Sequence, residues 1–426
     1  TDPQTADGNR TITFTAYDAA DTNLTSGTAV TTVSVSTADD DAPVLAGLSG
    51  SAVAYTEAAA ATVLEANITV TDSDDTGLES ATVRINSGFV STEDVLDVDL
   101  TGLTGLSKSY DQNTGVLTIS GTNVAKATFQ SALRLVKYDN TNNDNPSATD
   151  RVILWQLYDG ANYSSTQTTT VDITVTNDNP TLTGDGGSAV SFTEGTPVVI
   201  DNNLVLGDVD SAQLKSATIK ITNWQTGDEL QFNNTVNITG DGGSESNGVY
   251  TLSLSGNDTV AAYQEALRSI KFNNTSDNPA TANRSIEWNV VDTSDASLAS
   301  AGTSTVSVTA VNDSPALSGG GNVLQFTEGD SAIVVNSSIG LTDAESTTVN
   351  KVTVALSGAG SNELLNFAGT TEIAAVTSAT SITLTAAANQ TPTLANFITA
   401  MRAVTYSNTD PQTADGNRTI TFTAYD

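Results

Sequence analysis

Residues 266–292 read ALRSIKFNNTSDNPATANRSIEWNVVD, and the last nine of them decide the fold class. After Arg284 polar and apolar side chains alternate. Ile286, Trp288 and Val290 are apolar, whereas positions 285, 287 and 289 are Ser, Glu and Asn. An alternation with period two is typical of a strand with one buried face. The stretch therefore predicts a strand of a half-buried sheet, whose apolar side chains belong to the core. Arg284 is predicted to be a loop arginine beside this strand with its hydrogen bonds satisfied.

The same alternation recurs after Arg151, and the Thr-rich segments 168–175 and 304–311 are also predicted strands. One segment per repeat has helical spacing instead, with apolar residues at i, i+4 and i+7. These residues are Phe129, Leu133 and Val136; Tyr263, Leu267 and Ile270; and Phe397, Met401 and Val404. Asn257–Asp258 and Thr391–Pro392 precede two of these segments as helix-start signals. We expect an all-β fold of tandem head-to-tail, immunoglobulin-like β-sandwich domains, each with one short helix.

The chain contains a long exact repeat. Residues 1–18, TDPQTADGNRTITFTAYD, are identical to residues 409–426, at an offset of 408 residues. We interpret the chain as a slice of a longer array of 408-residue units, whose ends are cuts. The alternative is a polymer of separate subunits, in which residues 1–41 of one chain complete the last domain of another by strand donation.

The repeat subdivides at three prolines that follow acidic or amide-rich stretches. Pro43, Pro180 and Pro315 end the sequences DDDAP, NDNP and NDSP, at steps of 137 and 135 residues. Units of about 135 residues have the usual size of a domain. The predicted boundaries are 1–42 for the last third of one domain, 43–179 and 180–314 for two complete domains, and 315–426 for most of a fourth.

The composition excludes several functions. The chain has no His and no Cys, so zinc sites built on these residues, Ser-His-Asp triads and disulfides are impossible. A net charge of -34 argues against a nucleic-acid partner, because phosphate binding needs Lys and Arg. No apolar run approaches the length of a membrane span.

Three acidic motifs recur in one order. An aromatic-x-Glu occurs at Tyr55–Glu57, Phe192–Glu194 and Phe326–Glu328, an Asp-x-Asp follows about fifteen residues later, and an Asp closes the penultimate strand. With the NDNP linker, this order resembles cadherin repeats, and most closely the cadherin-like repeats of giant bacterial surface proteins of the adhesin type. The resemblance implies an extracellular or cell-surface location and up to three Ca²⁺ per domain junction.

Strand direction predicts where these acids meet. In a seven-stranded antiparallel sandwich the first and last strands run in the same direction, so successive domains join head to tail. Each junction then brings together motifs from two domains. The upstream domain contributes its aromatic-x-Glu and its linker, and the downstream domain contributes its Asp-x-Asp and the Asp that closes its penultimate strand. The first junction would gather Asp39, Asp40, Asp41, Asp72, Asp74 and Asp159. The second would gather Glu57, Asp144, Asn177, Asp178, Asn179, Asp208, Asp210 and Asp292. The third would gather Glu194, Asp277, Asn312, Asp313, Asp343, Glu345 and Asp426, while Glu328 and Asp18 are the equivalent acids of the incomplete domains.

Such clusters need a cation, and ligands that are all oxygen suit Ca²⁺ best. The pattern departs from cadherins at DDDAP, at Asp343-x-Glu345, and in lacking the Asp-Arg-Glu motif, for which Asp144 and Asp277 are only positional substitutes.

The favoured function is a structural segment of a long, calcium-stiffened extracellular fibre or adhesin stalk, with neighbouring repeats as partners. The alternative is a calcium-dependent module that binds glycans or cells. An enzyme is the least favoured reading. Asp75-Thr76-Gly77 and Asp292-Thr293-Ser294 look like the two halves of an aspartic protease, but they fall in different repeats and the equivalent Asp159 lacks the Thr.

Overall fold

The computed structural model describes residues 8–21, 23–35, 41–184, 189–293, 299–327, 329–409 and 416–426. The chain forms two compact units, Thr1–Asp178 and Asn179–Asp426. The regular secondary structure of the described residues is almost entirely β-strand, with three short helices. The predicted all-β fold is therefore confirmed. None of these helices is long and apolar enough to cross a membrane.

The strands of the first unit form four sheets. They are β1 (Gly8–Phe14), β2 (Ala29–Val35), β3 (Val44–Ala46), β4 (Val53–Thr56), β5 (Thr62–Val63), β6 (Thr69–Thr71), β7 (Gly77–Ser87), β8 (Asp94–Val98), β9 (Ser107–Asp111), β10 (Val116–Ala125), β11 (Val136–Asn140), β12 (Arg151–Tyr158) and β13 (Gln167–Thr174), with helix α1 (Lys126–Leu133). The main sheet has the order β4-β13-β12-β7-β10-β9, and the smaller ones are β5-β11-β8, β3-β6 and β1-β2.

The second unit repeats this topology. Its first strands are β14 (Thr181–Thr183), β15 (Val190–Thr193), β16 (Val198–Val199), β17 (Val205–Gly207), β18 (Gln213–Ile221), β19 (Asp228–Gln231), β20 (Thr239–Gly240), β21 (Ser244–Ser246), β22 (Val249–Thr259), β23 (Lys271–Asn274), β24 (Arg284–Asp292) and β25 (Ala299–Thr309), with α2 (Val260–Arg268). The main sheet follows β15-β25-β24-β18-β22-β20, with β21 also on β22, beside β16-β23-β19 and β14-β17.

A shorter version of the same arrangement follows in the second unit. It comprises β26 (Ala316–Ser318), β27 (Ile333–Val334), β28 (Gly340–Thr342), β29 (Lys351–Ser357), β30 (Glu363–Asn366), β31 (Ile373–Thr377), β32 (Ser381–Ala386), β33 (Thr405–Asn408) and β34 (Thr419–Tyr425), with α3 (Leu394–Arg402). The sheets are β31-β32-β29-β34, β27-β33-β30 and β26-β28.

Strand directions follow the expected pattern in the two longer repeats. Neighbouring strands are antiparallel except that β4 pairs parallel with β13, and β15 pairs parallel with β25. In these two repeats the first strand of the main sheet, β4 or β15, therefore runs in the same direction as the last, β13 or β25. This parallel pairing places the end of β4 beside the end of β13, where the acidic motifs lie.

The cores follow the alternation read from the sequence. Burial alternates along β12 and β24, and Trp155 and Trp288 are completely buried among the apolar residues of the sandwich. Buried apolar side chains form three clusters, within residues 45–173, 182–308 and 335–406.

The helices occupy the predicted segments but begin and end elsewhere. The cap of α2 is Thr259, whose side chain accepts a hydrogen bond from the backbone N–H of Ala262 at 3.1 Å, one residue after the predicted Asn257–Asp258 signal. Helix α3 begins at Leu394, after the predicted Thr391–Pro392. The third apolar residue of each pattern lies beyond the helix, since the chain turns there into the next strand.

Candidate metal centre

The aromatic-x-Glu motif fixes a glutamate at the end of a strand. Tyr55 packs edge-on against Tyr138 with ring centroids 5.1 Å apart, and Phe192 packs in the same way on Phe272 at 5.0 Å. Glu57, two residues after Tyr55, emerges from this anchored strand and is itself buried. Its equivalent in the next repeat is Glu194, whereas Glu328 lies outside the described residues.

One carboxylate oxygen of Glu57 accepts hydrogen bonds and the other does not. Oε2 accepts hydrogen bonds from the backbone N–H of Thr176 at 2.7 Å and from its hydroxyl at 3.1 Å. Oε1 is buried and has no hydrogen-bond donor. Glu194 makes the equivalent contact, because its Oε2 accepts from the N–H of Val311 at 2.8 Å. Each glutamate is thus held by the backbone of the outgoing linker.

The first acid of the Asp-x-Asp or Asp-x-Glu loop makes the same turn in each of the three repeats. In every copy its Oδ1 accepts two backbone N–H groups, two and three residues further on, and its Oδ2 is buried without a donor. The distances are 3.2 and 3.0 Å for Asp72, 3.3 and 2.7 Å for Asp208, and 3.1 and 2.7 Å for Asp343. The turn is an ordinary loop device, but a carboxylate oxygen buried without a donor is costly unless another group neutralises it.

The aspartate that closes the penultimate strand lies beside this loop. Asp159 is 7% exposed, and its Oδ1 accepts the N–H groups of Ala161 at 2.7 Å and Asn162 at 2.6 Å. Its Oδ2 is buried without a donor. One carboxylate oxygen from each of Asp72, Asp75 and Asp159 lies within 4.8 Å of the others. Asp208, Asp210 and the fully buried Asp292 form the equivalent group in the second unit.

The linkers contact the loops through one recurring hydrogen bond. The N–H of Asp41 donates to Asp74 Oδ2 at 3.3 Å, and the N–H of Asp313 donates to Glu345 Oε2 at 3.0 Å. Ser73 also donates its hydroxyl to Asp41 at 2.6 Å. The neighbouring Asp39 and Asp40 lie outside the described residues.

The second unit contains a group that joins two repeats. One oxygen from each of Glu194, Asp313 and Glu345 lies within 4.8 Å of the others. A cavity of about 460 Å³ opens beside it, and Asp277 lines this cavity at its exposed edge. Asn312 donates a side-chain hydrogen bond to Asp426. The structure thus brings three of the seven acids and amides predicted for the third junction within 4.8 Å of one another, and Asp343 belongs to the same loop as Glu345.

The remaining predicted residues lie apart or are divided between the units. Asp144 is exposed, Asn177 and Asp178 are half-buried at the end of the first unit, and Asn179 begins the second. Asp18 is exposed after β1, where its Oδ1 accepts the N–H of Ala20 at 2.7 Å, as Asp159 does with Ala161. The set predicted for the second junction spans both units and stays a prediction.

The electrostatics of the loops favour a bound cation. Burial raises the pKa of Asp72 above its ordinary value, and the neighbouring Asp74 raises it further. Backbone hydrogen bonds to Asp72 lower the pKa but do not cancel these effects. Burial likewise raises the pKa of Asp208, with contributions from Asp210 and the charge of Asp292. Both shifts report carboxylates that are desolvated and close to like charges. The residues fit a hard divalent cation, because every donor is an oxygen and several buried oxygens lack a partner.

Two functional features were missed from the sequence. The first is Asp75, which shares the close group with Asp72 and Asp159 in place of the predicted Asp74. The equivalent positions 211 and 346 are serines, so the repeat did not mark Asp75 as a metal ligand.

The second feature is the acid that pairs with the strand arginine. Arg151 and Asp94 are fully buried with Nε 2.9 Å from Oδ2, and the equivalent pairs are Arg284 with Asp228 and Arg418 with Glu363. The recurrence of an acid 55 to 57 residues before the arginine was the available signal.

Comparison with known proteins adds distant similarities. No protein-family model matches the chain. Over 122 residues the chain is 38% identical to halomucin of Haloquadratum walsbyi, and this match covers 28% of the chain and 1% of halomucin. The chain is also similar to repeats EC22–24 of mouse cadherin-23, with 13% identity, 82% of this chain and 90% of that chain covered, and a TM-score of 0.28. For human CDH23 EC21–23 the identity is 15%, the coverage 88% and 97%, and the TM-score 0.26.

Proposed function

We propose that this chain is a structural segment of a long extracellular fibre or adhesin stalk, stiffened by Ca²⁺ at its acidic loops. The observation that carries the proposal is the repeated acidic loop. In three copies, the first aspartate turns one oxygen to the backbone and leaves the other buried without a donor. A feature that recurs with the repeat serves every unit of the array, which suits length and stiffness rather than a single catalytic event.

Calcium is the cation that this donor set favours. The ligands offered are carboxylate and amide oxygens from the acidic loops and linkers, and Ca²⁺ takes six to eight oxygens in irregular geometry. The chain has no His or Cys for a softer metal. Extracellular modules bind Ca²⁺ with dissociation constants of about 10⁻⁴–10⁻³ M, so the ion would be bound outside a cell and not inside it.

Stiffening follows from where the acids lie. Glu194 belongs to the repeat before the linker, Asp313 to the linker and Glu345 to the repeat after it. An ion shared by these three residues would join parts of the chain that otherwise repel one another. The exact repeat at an offset of 408 residues supports an extended array.

Calcium titration of the 426-residue chain tests the proposal. We expect calorimetry to show binding, and we expect Ca²⁺ at a hundred times its dissociation constant to stabilise each occupied domain by about 2.7 kcal/mol. The variant D72N/D159N should lose the sites of the first unit, whereas D172N, which neutralises an exposed carboxylate on β13, should bind as the original chain does. If millimolar Ca²⁺ changes neither the melting temperature nor the maximum dimension measured by small-angle scattering, the proposal is wrong.

A further inference from the structure

A lysine lies against the acidic loop of the first unit. Lys126 is the first residue of α1, and its Nζ donates hydrogen bonds to the backbone carbonyl of Asp72 at 2.7 Å and to that of Asp75. Both residues also contribute carboxylate oxygens to the group with Asp159. The side chain is half-buried, so its ammonium is held next to the loop rather than extended into solvent.

The position of Lys126 is unfavourable for the helix itself. A cation at a helix N-terminus opposes the helix dipole and destabilises the first turn. The equivalent first residues of the other helices are Val260 in α2 and Leu394 in α3, both apolar. An ammonium at this point therefore occurs in one of the three repeats, and the stabilisation that offsets its helix-terminal position comes from the acidic loop.

The ammonium does not replace a bound metal ion. It donates to carbonyl oxygens, whereas Asp72 Oδ2 and Asp159 Oδ2 remain buried without a donor. The loop thus keeps its unsatisfied carboxylate oxygens while it has gained one fixed positive charge. A divalent cation entering this group meets the like charge of Lys126, whereas the equivalent position in the repeat of Asp208, Asp210 and Asp292 is the apolar Val260.

We propose that Lys126 is an internal counter-ion that makes the first acidic group a weaker divalent-cation site than the group of Asp208, Asp210 and Asp292. This inference rests on the proposed function, because it ranks the sites which that function requires. One unit charge about 6 Å from a divalent ion weakens binding by about tenfold even at the dielectric constant of bulk water. The sites of the array consequently fill in order as Ca²⁺ rises, and the first loop keeps its shape at concentrations where its site is empty.

A reciprocal exchange of residues in the full chain tests this ranking. Calcium alone is the titrant, measured by calorimetry at constant ionic strength. The wild-type chain should show at least two classes of site. The variant K126V should bind more tightly by about tenfold in the weaker class, and V260K should weaken the tighter class by a similar factor. K126M, which keeps most of the aliphatic stem, replaces K126V if that variant does not fold.

Two controls separate the inference from the proposed function. K137M removes an exposed lysine on β11 and gives the effect of net charge alone. In D159N, which lacks a ligand of the first group, K126V should no longer change the binding. If the wild-type chain binds Ca²⁺ but K126V shifts the affinity no more than K137M does, the counter-ion role is refuted and the proposed function stands. If the wild-type chain binds no Ca²⁺, both are refuted.

Discussion

Arg151 and Asp94 are both fully buried, and the stability of the first sandwich depends on their remaining paired. Asp94 also accepts hydrogen bonds from the Tyr138 hydroxyl at 2.6 Å, the Val90 N–H at 2.7 Å and the Asn140 side-chain amide at 3.3 Å, but Arg151 is the cation that neutralises its charge. The variant R151M leaves this carboxylate without its cation. We expect a loss of about 3–5 kcal/mol in the free energy of unfolding of this domain, because an unpaired buried charge is far costlier than a lost surface contact.

Chemical denaturation followed by tryptophan fluorescence measures this loss. R84M is the matched control, since Arg84 lies exposed on the neighbouring strand β7 and its replacement should change stability by less than about 0.5 kcal/mol. The double variant R151M/D94L should recover part of the loss, because an apolar pair removes the orphaned charge. Equal effects of R151M and R84M would show that the buried pair contributes nothing.

Glu363 makes the last repeat sensitive to acid. Its hydrogen bonds with Arg418, at 2.8 and 2.9 Å, hold the pKa of the carboxyl below its ordinary value of 4.5. The group is therefore more acidic in the folded than in the unfolded chain, and its contribution to stability is present above pH 4.5 and lost as the pH falls through the lowered pKa. Melting temperatures between pH 6 and pH 3 should show this loss, and E363Q should flatten it. An unchanged slope in E363Q would assign the acid sensitivity to other carboxylates.

At the residue scale, the sequence predicted the acids that recur in a motif but not the contacts that depend on the fold. Asp72, Asp208 and Asp343 could be singled out because their spacing repeats. Asp94 could not be paired with Arg151, since β8 and β12 belong to different sheets and only the packing of the sandwich brings the two side chains together. Asp75 was passed over because neither of its equivalents is acidic.

Among the elements, the three helices differ most in how their first turns are capped. The Thr259 hydroxyl caps α2, whereas Ala125 precedes α1 without a side-chain hydrogen bond. We expect T259A to destabilise its domain by about 1 kcal/mol, because one backbone N–H of the first turn loses its acceptor. The reciprocal change A125S should stabilise the first domain by a smaller amount. Calorimetric unfolding of the full chain checks both, and a T259A transition at the original temperature would contradict the prediction.

The limits of each element were harder to predict than its existence. Phe129 and Leu133 lie on α1 as their spacing predicts, but Val136 already belongs to β11. Its side chain is buried in the same core from a strand, so burial alone gives the same apolar pattern in either conformation. The parallel pairing of β4 with β13 was foreseen only as a shared direction, because a register depends on contacts between residues more than a hundred positions apart.

At the scale of the whole molecule, the internal repeat supplied most of the predicted architecture. Motifs that are weak singly became informative by recurring in order at one spacing, and the structure repeats the same turn, aromatic pair and buried ion pair with them. The sequence could not show which acids share one ion, because that depends on side-chain positions within 4.8 Å.

The net charge of -34 gives the molecule a salt dependence that should differ from its calcium dependence. Repulsion between exposed carboxylates is screened over a Debye length of about 10 Å at 0.1 M salt and about 3 Å at 1 M. The chain in chelator should therefore melt at a higher temperature as KCl rises from 0.01 to 1 M. Buried oxygens such as those of Asp159 and Glu57 are screened much less by a diffuse ion atmosphere.

Calcium should consequently raise the melting temperature further even in 1 M KCl, where screening of the surface is nearly complete. Mg²⁺ at the same concentration should raise it less, since Mg²⁺ demands octahedral geometry and gives up its water reluctantly. D172N should leave the calcium increment intact, whereas D72N/D159N should reduce it. If 1 M KCl abolishes the increment in the original chain, the acidic groups act only as diffuse surface charge, and the loops that bury their oxygens are not binding sites.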